Sequence, residues 1–334
     1  MHQIPRDRLI IALNDADLEK FVWEWVSHKR EYTEVERFTG AGDMGRDVVG
    51  YLTKERHEGG WHNYQCKQYG RTLPTAVGIH EVGKVLYYGH RGEFTAPTGF
   101  FFVAPRGVNR TLRRLISKPA EFKQALIEKW NEYCAETISE GTRIDLDPAL
   151  RTFIEAWDFS LIRAISVDAI LADPASKPVM VSWFGDDPGP PPAGTVPPEI
   201  ESREMPYIRQ LLEAYGEREK CTYKGHVSVK DHAQYGPHLH MQRERFFDAD
   251  AFSRFYRDNT MSEEIERLRH DMYHGVADVH RASHADSLSR VDAVMMQAAN
   301  VQPAGALAKY ARVPVKQGIC HHFANDGQLQ WSKK

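Results

Sequence analysis

The chain has 334 residues, 42% hydrophobic and 27% charged, with a formal net charge of −3. This is ordinary globular composition, long for one domain and comfortable for two. No apolar run approaches the roughly 20 residues that span a membrane, and the opening Met1-His2-Gln3-Ile4-Pro5-Arg6-Asp7 lacks the apolar core of a signal peptide, so a cytoplasmic protein is expected. The cysteines, Cys66, Cys134, Cys221 and Cys320, are scattered without a C-x-x-C pair, which argues against a disulfide framework. A slightly negative chain has no bulk attraction for nucleic acid, so any such binding needs a local basic surface.

Asn14 or Asp15 caps a predicted helix that runs to about residue 27, with Leu18, Phe21, Val22, Trp25 and Val26 on its apolar side. Three segments rich in β-branched and aromatic residues follow at 34–38, 46–53 and 63–69, separated by glycines and charges. Pro74 and Gly89 bracket a second helix. Residues 99–104 are a continuous apolar run, the pattern of a strand buried on both faces. The order α-β-β-β-α-β predicts an α/β N-terminal domain over 1–185. Six prolines and two glycines between Asp186 and Pro198 predict a semi-rigid connector over 186–202. Helical patterns at 205–215, 249–260 and 262–274 then predict a mainly α-helical domain over 203–334.

Candidate chemistry begins at Gly42-Asp43-Met44-Gly45-Arg46-Asp47, a glycine-rich turn that delivers Asp47 to a strand. One hairpin later comes Tyr64-Gln65-Cys66-Lys67. Strand alternation puts Gln65 and Lys67 on one face and Cys66 on the other, and Asp47 can share the first face. Phosphodiester hydrolysis calls for such a set. A carboxylate holds a hard divalent cation, a glutamine carbonyl adds a second oxygen, and an ammonium stabilises developing charge. Glu19 lies nearer the apolar side of the first helix than Glu24 and can look toward the sheet. Asp43 is expected to make the turn. Arg106, Arg110, Arg113 and Arg114 would share one face of a helix and could grip DNA phosphates, the alternative being an ordinary solvated surface. Cys320-His321-His322 suits zinc poorly because adjacent ligands do not fit a tetrahedral site; packing or a subunit contact is expected there.

The Asp-(x)n-Gln-x-Lys pattern, entered through Gly-Asp-x-Gly-x-Asp, resembles the Mrr-like branch of the PD-(D/E)XK nucleases. Leu18-Glu19-Lys20-Phe21-Val22 is similar to that family's Phe-Glu-x-x-Val helix, and the likeness covers about residues 15–105. The resemblance implies a restriction-endonuclease-like fold and hydrolysis of double-stranded DNA. It implies metal binding by Asp47 and Gln65, catalysis by Lys67 with Glu19 in support, and Mg²⁺ as cofactor with Mn²⁺ as a substitute. The alternatives are an RNase of the same fold and an inactive module that binds DNA or partners. Near the C-terminus, Gly318-Ile319-Cys320-His321-His322-Phe323-Ala324-Asn325 followed by Trp331 resembles the terminal domain of ABC-three-component systems, which include the Lamassu anti-phage systems. Gln242-Arg243-Glu244-Arg245-Phe246-Phe247 and Ser289-Arg290-Val291 add to that likeness. This second resemblance implies a nuclease effector that docks on an SMC-like ATPase and a small third subunit. Those partners would restrain it, and homo-oligomerisation would activate it.

Overall fold

The computed structural model describes residues 4–40, 42–139 and 141–332; residues 1–3 of the opening segment lie outside them. The chain divides into two compact units between Met180 and Val181.

The first unit begins with α1 (Arg6–Ile11) and α2 (Asp15–Ser27), then β1 (Glu34–Arg37), β2 (Val48–Tyr51) and β3 (Trp61–Cys66). It continues through α3 (Thr75–His90), β4 (Gly99–Val103), α4 (Arg110–Ser117), α5 (Pro119–Tyr133), α6 (Pro148–Ala156), β5 (Ile162–Ile165) and α7 (Val167–Ala172). α8 (Lys177–Phe184) runs across the division. The α-β-β-β-α-β order expected from the sequence is present as α2 to β4. The strands form one sheet in the order β1-β2-β3-β4-β5, antiparallel among the first three and parallel from β3 to β5. α2 covers one face with Leu18, Phe21, Val22, Trp25 and Val26, the residues its periodicity marked. Its N-cap is Asn14, whose side chain accepts from the Asp17 amide. The other face packs Tyr51, Trp61, Phe100 and Phe102 against Ile79, Val82 and Leu86 of α3 and Phe122, Leu126 and Trp130 of α5. β4 is central and buried, as its unbroken apolar run predicts.

Strand ends differ from the sequence reading. β2 and β3 stop earlier, so Lys67 falls just past β3. Its amide still donates to the Val103 carbonyl at 3.0 Å, which carries the strand's alternation one residue further. Residues 106–185, whose sequence pattern is weak, add α4 to α8 and the edge strand β5.

The second unit is helical: α9 (Met205–Glu219), α10 (Val227–Lys230), α11 (Tyr235–Asn259), α12 (Ser262–Arg281), α13 (Ser287–Asn300) and α14 (Val313–Asn325). The proline-rich stretch, expected as a semi-rigid connector, holds no helix or strand over residues 186–198. It lies along this unit: Gly194 N donates to Asp248 Oδ1 at 2.7 Å, Tyr256 Oη to the Gly189 carbonyl at 2.7 Å, and Val196 and Ile200 join the apolar core. Arg243 makes a two-point ion pair with Glu204, which is fully buried, and also donates to the carbonyls of Pro197 and Glu199 at 2.9 Å. A buried charge pair of this kind is sustained only when its remaining donors are satisfied, and the strap's carbonyls do that.

α11 and α14 cross very closely at Gly318, where any Cβ would stand 1.9 Å from the Arg245 carbonyl oxygen. The Cys320-His321-His322 triplet sits on α14 and makes separate contacts. Cys320 Sγ donates to the Lys316 carbonyl, His321 Nε2 lies 2.9 Å from Gln242 Oε1, and the His322 ring meets Phe246 edge-on. No helix among the described residues is long and apolar enough to cross a membrane.

Two outcomes are expected. Gly318→Ala should force α11 and α14 apart, at a cost of about 1–3 kcal/mol, and lower the urea midpoint of the helical unit; an unshifted midpoint would show that the crossing is not tight. Acid should also weaken this unit. Burial, reinforced by Arg245, holds His321 far below the ordinary histidine range, and burial, reinforced by Arg269, pushes His322 down to about 4. Below pH ~6.5 the unfolded chain takes up protons that the folded unit refuses. Stability is therefore complete above that pH and declines toward pH ~4, by up to about 1.4 kcal/mol per pH unit for each histidine. Hydrogen exchange of α14 at pH 7.5 and 5.5 measures this, and His322→Gln should flatten the slope. Equal opening free energies at both values would contradict it.

Candidate active site

The turn before β2 is built to bend. Met44 and Gly45 both take positive φ, and a Cβ on Gly45 would meet the Val85 side chain at 2.8 Å. Asp43 Oδ1 accepts from the Gly45 amide at 2.7 Å and from Lys84 Nζ at 2.8 Å, so Asp43 makes the turn and is pinned to α3. The Gly45 carbonyl in turn accepts from Asn63 Nδ2 on β3 at 3.0 Å. Asp47 emerges from this turn almost wholly buried, at 5% exposure. Its Oδ2 accepts from Gln65 Nε2 at 2.7 Å and from the Cys66 amide at 2.8 Å. Lys67 reaches Glu81 of α3 at 3.1 Å. Cys66 points the other way, its thiol near the Tyr64 carbonyl. α2 is tied to the same end of the sheet, because Gln68 N donates to Asp15 Oδ1 at 2.9 Å and Gln68 Nε2 to the Leu13 carbonyl at 2.8 Å. That tether carries Glu19 into the field of Lys67 and Asp43.

The electrostatics follow from burial. Desolvation, with the Glu81 and Glu19 carboxylates adding to it, lifts Asp47 to about 7, against the pull of Lys67 and the Cys66 amide. Glu19 is raised mainly by its own burial, with Arg37 and Lys67 opposing. Burial disfavours the Lys67 ammonium, yet Glu81 and Asp47 outweigh it and hold the lysine charged above its ordinary range. Burial also pushes the Cys66 thiol well up, with Asp47 and Glu19 adding, so it is no thiolate nucleophile at neutral pH.

A divalent cation suits this donor set. Gln65 Oε1 is buried and has no hydrogen-bond partner, beside a carboxylate that burial strains toward protonation. Two hard oxygens of that kind are what Mg²⁺ takes, with waters completing its shell. Among the described residues no three His, Cys, Asp or Glu side chains converge, so the amide oxygen would be a necessary part of any such site.

Of the residues marked by sequence, Asp47, Gln65 and Lys67 come together, and Glu19 is within electrostatic reach. The arginines separate. α4 begins only at Arg110, so Arg106 sits in the preceding turn and not on a shared helical face. Arg110, Arg113 and Arg114 are exposed on α4, but Arg114 is paired with Glu121 at 3.6 Å. Glu81 escaped sequence reading. Its signal is a lone carboxylate on the inward face of α3, between Gly78 and Val85 at helical spacing.

Asp47→Asn keeps the shape and one acceptor oxygen. The folded acid binds its proton more tightly than the unfolded one, so the fold loses stability as pH rises from about 4 to about 7, and above that the penalty is constant. In chelator at pH 8 the variant should be more stable than the parent by on the order of 2 kcal/mol, and the gain should fade toward pH 4. A variant less stable at pH 8 would show that Asp47 is not strained by burial.

Residues 204–331 match the family model CTD6, C-terminal domain 6 of the ABC-three component (ABC-3C) systems. The match begins at Glu204, the buried partner of Arg243, and ends at Trp331, also fully buried, so it spans the helical core from one anchor to the other. Comparison with curated proteins and with solved structures returns no match. The helical unit thus matches a CTD6 domain, which supports membership of the chain in an ABC-three component system.

Proposed function

We propose that the first unit is a metal-dependent endonuclease that hydrolyses DNA, with a restriction-endonuclease-like fold, and that the chain is the effector subunit of a Lamassu-type anti-phage system. One observation carries the reading. Asp47, Gln65 and Lys67 meet at one end of the sheet around a buried amide oxygen that lacks a partner.

Asp47 and Gln65, with Glu19 in support, would hold Mg²⁺ or Mn²⁺, which when bound would polarise the phosphate and acidify a water. Asp47 positions Gln65 by accepting its amide N–H, which leaves Oε1 buried and without a hydrogen-bond partner. Glu81 fixes the Lys67 ammonium and keeps it charged. Lys67 then stabilises negative charge that builds on the phosphoryl oxygens. The CTD6 domain supports docking on an SMC-like ATPase and a small third subunit, which would restrain the nuclease. The first unit offers one candidate site, and a double-strand break needs two cuts, which supports activation by oligomerisation.

A second reading, a module that grips nucleic acid without cutting, is favoured by two features. Asp47 Oδ2 is already filled by two N–H donors, and the residue sits near half-protonation at neutral pH.

The test is the purified full chain, alone and with its partner subunits, on supercoiled plasmid, single-stranded DNA and RNA with Mg²⁺ or Mn²⁺. Plasmid should be nicked and linearised, and Lys67→Ala and Asp47→Ala should each lose at least ~10²–10³-fold. Cys66→Ala should cut like the parent, because its thiol faces α2. Undiminished cutting by Lys67→Ala would remove the assignment. Cutting of RNA alone would make the enzyme an RNase, and tight binding without cutting would favour the second reading.

A further inference from the structure

A groove of about 570 Å³ opens where α4 approaches the outer strand β5. Arg113 and Arg163 line it, with Ser117, Ser160 and Ser166, over an apolar floor that includes Phe102. No acidic side chain is among the lining residues. β5 pairs only with β4 among the described residues, so its outer edge presents backbone N–H and C=O groups with no sheet partner.

The arginines around this groove differ from others on the same unit. Arg56, Arg114, Arg143 and Arg151 are each in salt bridges with carboxylates. Among the described residues, Arg106, Arg110, Arg113 and Arg163 make none, and all four are exposed. Unpaired guanidinium groups beside hydroxyls and free amides suit phosphate oxygens, and an apolar floor suits bases.

The groove lies two strands from the candidate active site: none of Asp47, Gln65 and Lys67 lines it, and Arg163, the register partner of Phe101, reaches it from the edge strand β5. Phe102 is the register partner of Gln65, so the two share a sheet face. The turn carrying Arg106 is bonded to the chain that leaves Lys67: Leu73 N donates to the Gly107 carbonyl at 2.8 Å, and Asn109 N to the Leu73 carbonyl at 3.0 Å. β3, β4 and β5 run parallel, so Lys67, Arg106 and Ser166 stand at the same end of the sheet. Lateral separation from Lys67 to the groove is one to two strand spacings, about 5–10 Å.

We infer that this groove holds the phosphodiester backbone of the nucleic-acid strand beside the cut, with Arg113 and Arg163 as its central contacts. The inference rests on the nuclease reading but is tested apart from it. Full-length Asp47→Asn protein is titrated into a fluorescently labelled 20-nucleotide DNA, single-stranded and duplex, across a range of salt, with and without Arg113→Gln/Arg163→Gln. The double variant should bind at least 10-fold more weakly in low salt. Its slope of log Kd against log salt should fall by about 1.4–1.8, since each phosphate contact contributes ~0.7–0.9. A charge-matched control, Arg143→Gln/Arg151→Gln, should leave both unchanged, and thermal melting checks that each variant folds. Equal loss in the control would overturn the groove in favour of overall charge. Unchanged affinity and slope in the groove variant would also overturn it, and if partner subunits are then lost on co-purification, the β5 edge is a protein-docking surface. Salt-dependent binding through the groove, by a chain whose parent cuts no nucleic acid, would uphold the groove and defeat the nuclease reading.

Discussion

The constraint on which the candidate site depends is the removal of one carboxylate from water. Asp47 is almost wholly buried, and its ionised form is opposed by desolvation and by two further carboxylates. Only Lys67 and one backbone amide oppose those effects strongly. A buried carboxylate in that position either keeps its proton or draws positive charge to itself. Around it, a glycine turn forces the residue inward, Gln65 leaves an oxygen unbonded, and Glu81 holds a lysine charged nearby. Local stability is sacrificed for an electrostatic demand, a common feature of sites that bind cations or do chemistry.

The helical unit treats its buried polar groups differently. Glu204 is fully buried, yet Arg243 meets both of its oxygens, and the spare guanidinium donors go to the strap. Gln242 bridges His321 and His238, and His238 goes on to Tyr215. Networks of this kind rigidify a core and fix its packing, although His321 Nδ1 keeps no hydrogen-bond partner. The histidines of α14 belong to that order: consecutive helix positions diverge by about 100°, so neighbours in sequence meet different partners in space.

The two units also place their close approaches differently. In the first, a positive-φ glycine lets the turn at Gly45 pass under Val85 and so sets where Asp47 enters the sheet. In the second, Gly318 lets α14 lie against the backbone of α11, so two long helices share one core. One glycine serves a site and the other serves packing.

Much of this was legible in the sequence because it depends on short-range periodicity. The order α2 to β4, the burial of β4, the face shared by Gln65 and Lys67, and the turn at Asp43 all follow from spacings of two, from helical spacing, or from glycine and proline preferences. The helical character of the second unit followed from the same patterns. What tertiary structure alone decided depends on contacts between residues far apart in the chain. Glu81 meets Lys67 because α3 folds back over the sheet; Glu19 arrives because Gln68 is bonded to the α1–α2 junction; Arg106 and Arg114 leave the basic face because a helix starts four residues later than periodicity allowed and a neighbouring glutamate intervenes. The proline-rich stretch reads as a semi-rigid connector, and only the fold shows that its carbonyls find Arg243. The charge state of Asp47 is the clearest case. Its identity is in the sequence, but its proton affinity is set by how much water and how many opposing charges the folded chain leaves around it, and no local pattern encodes that.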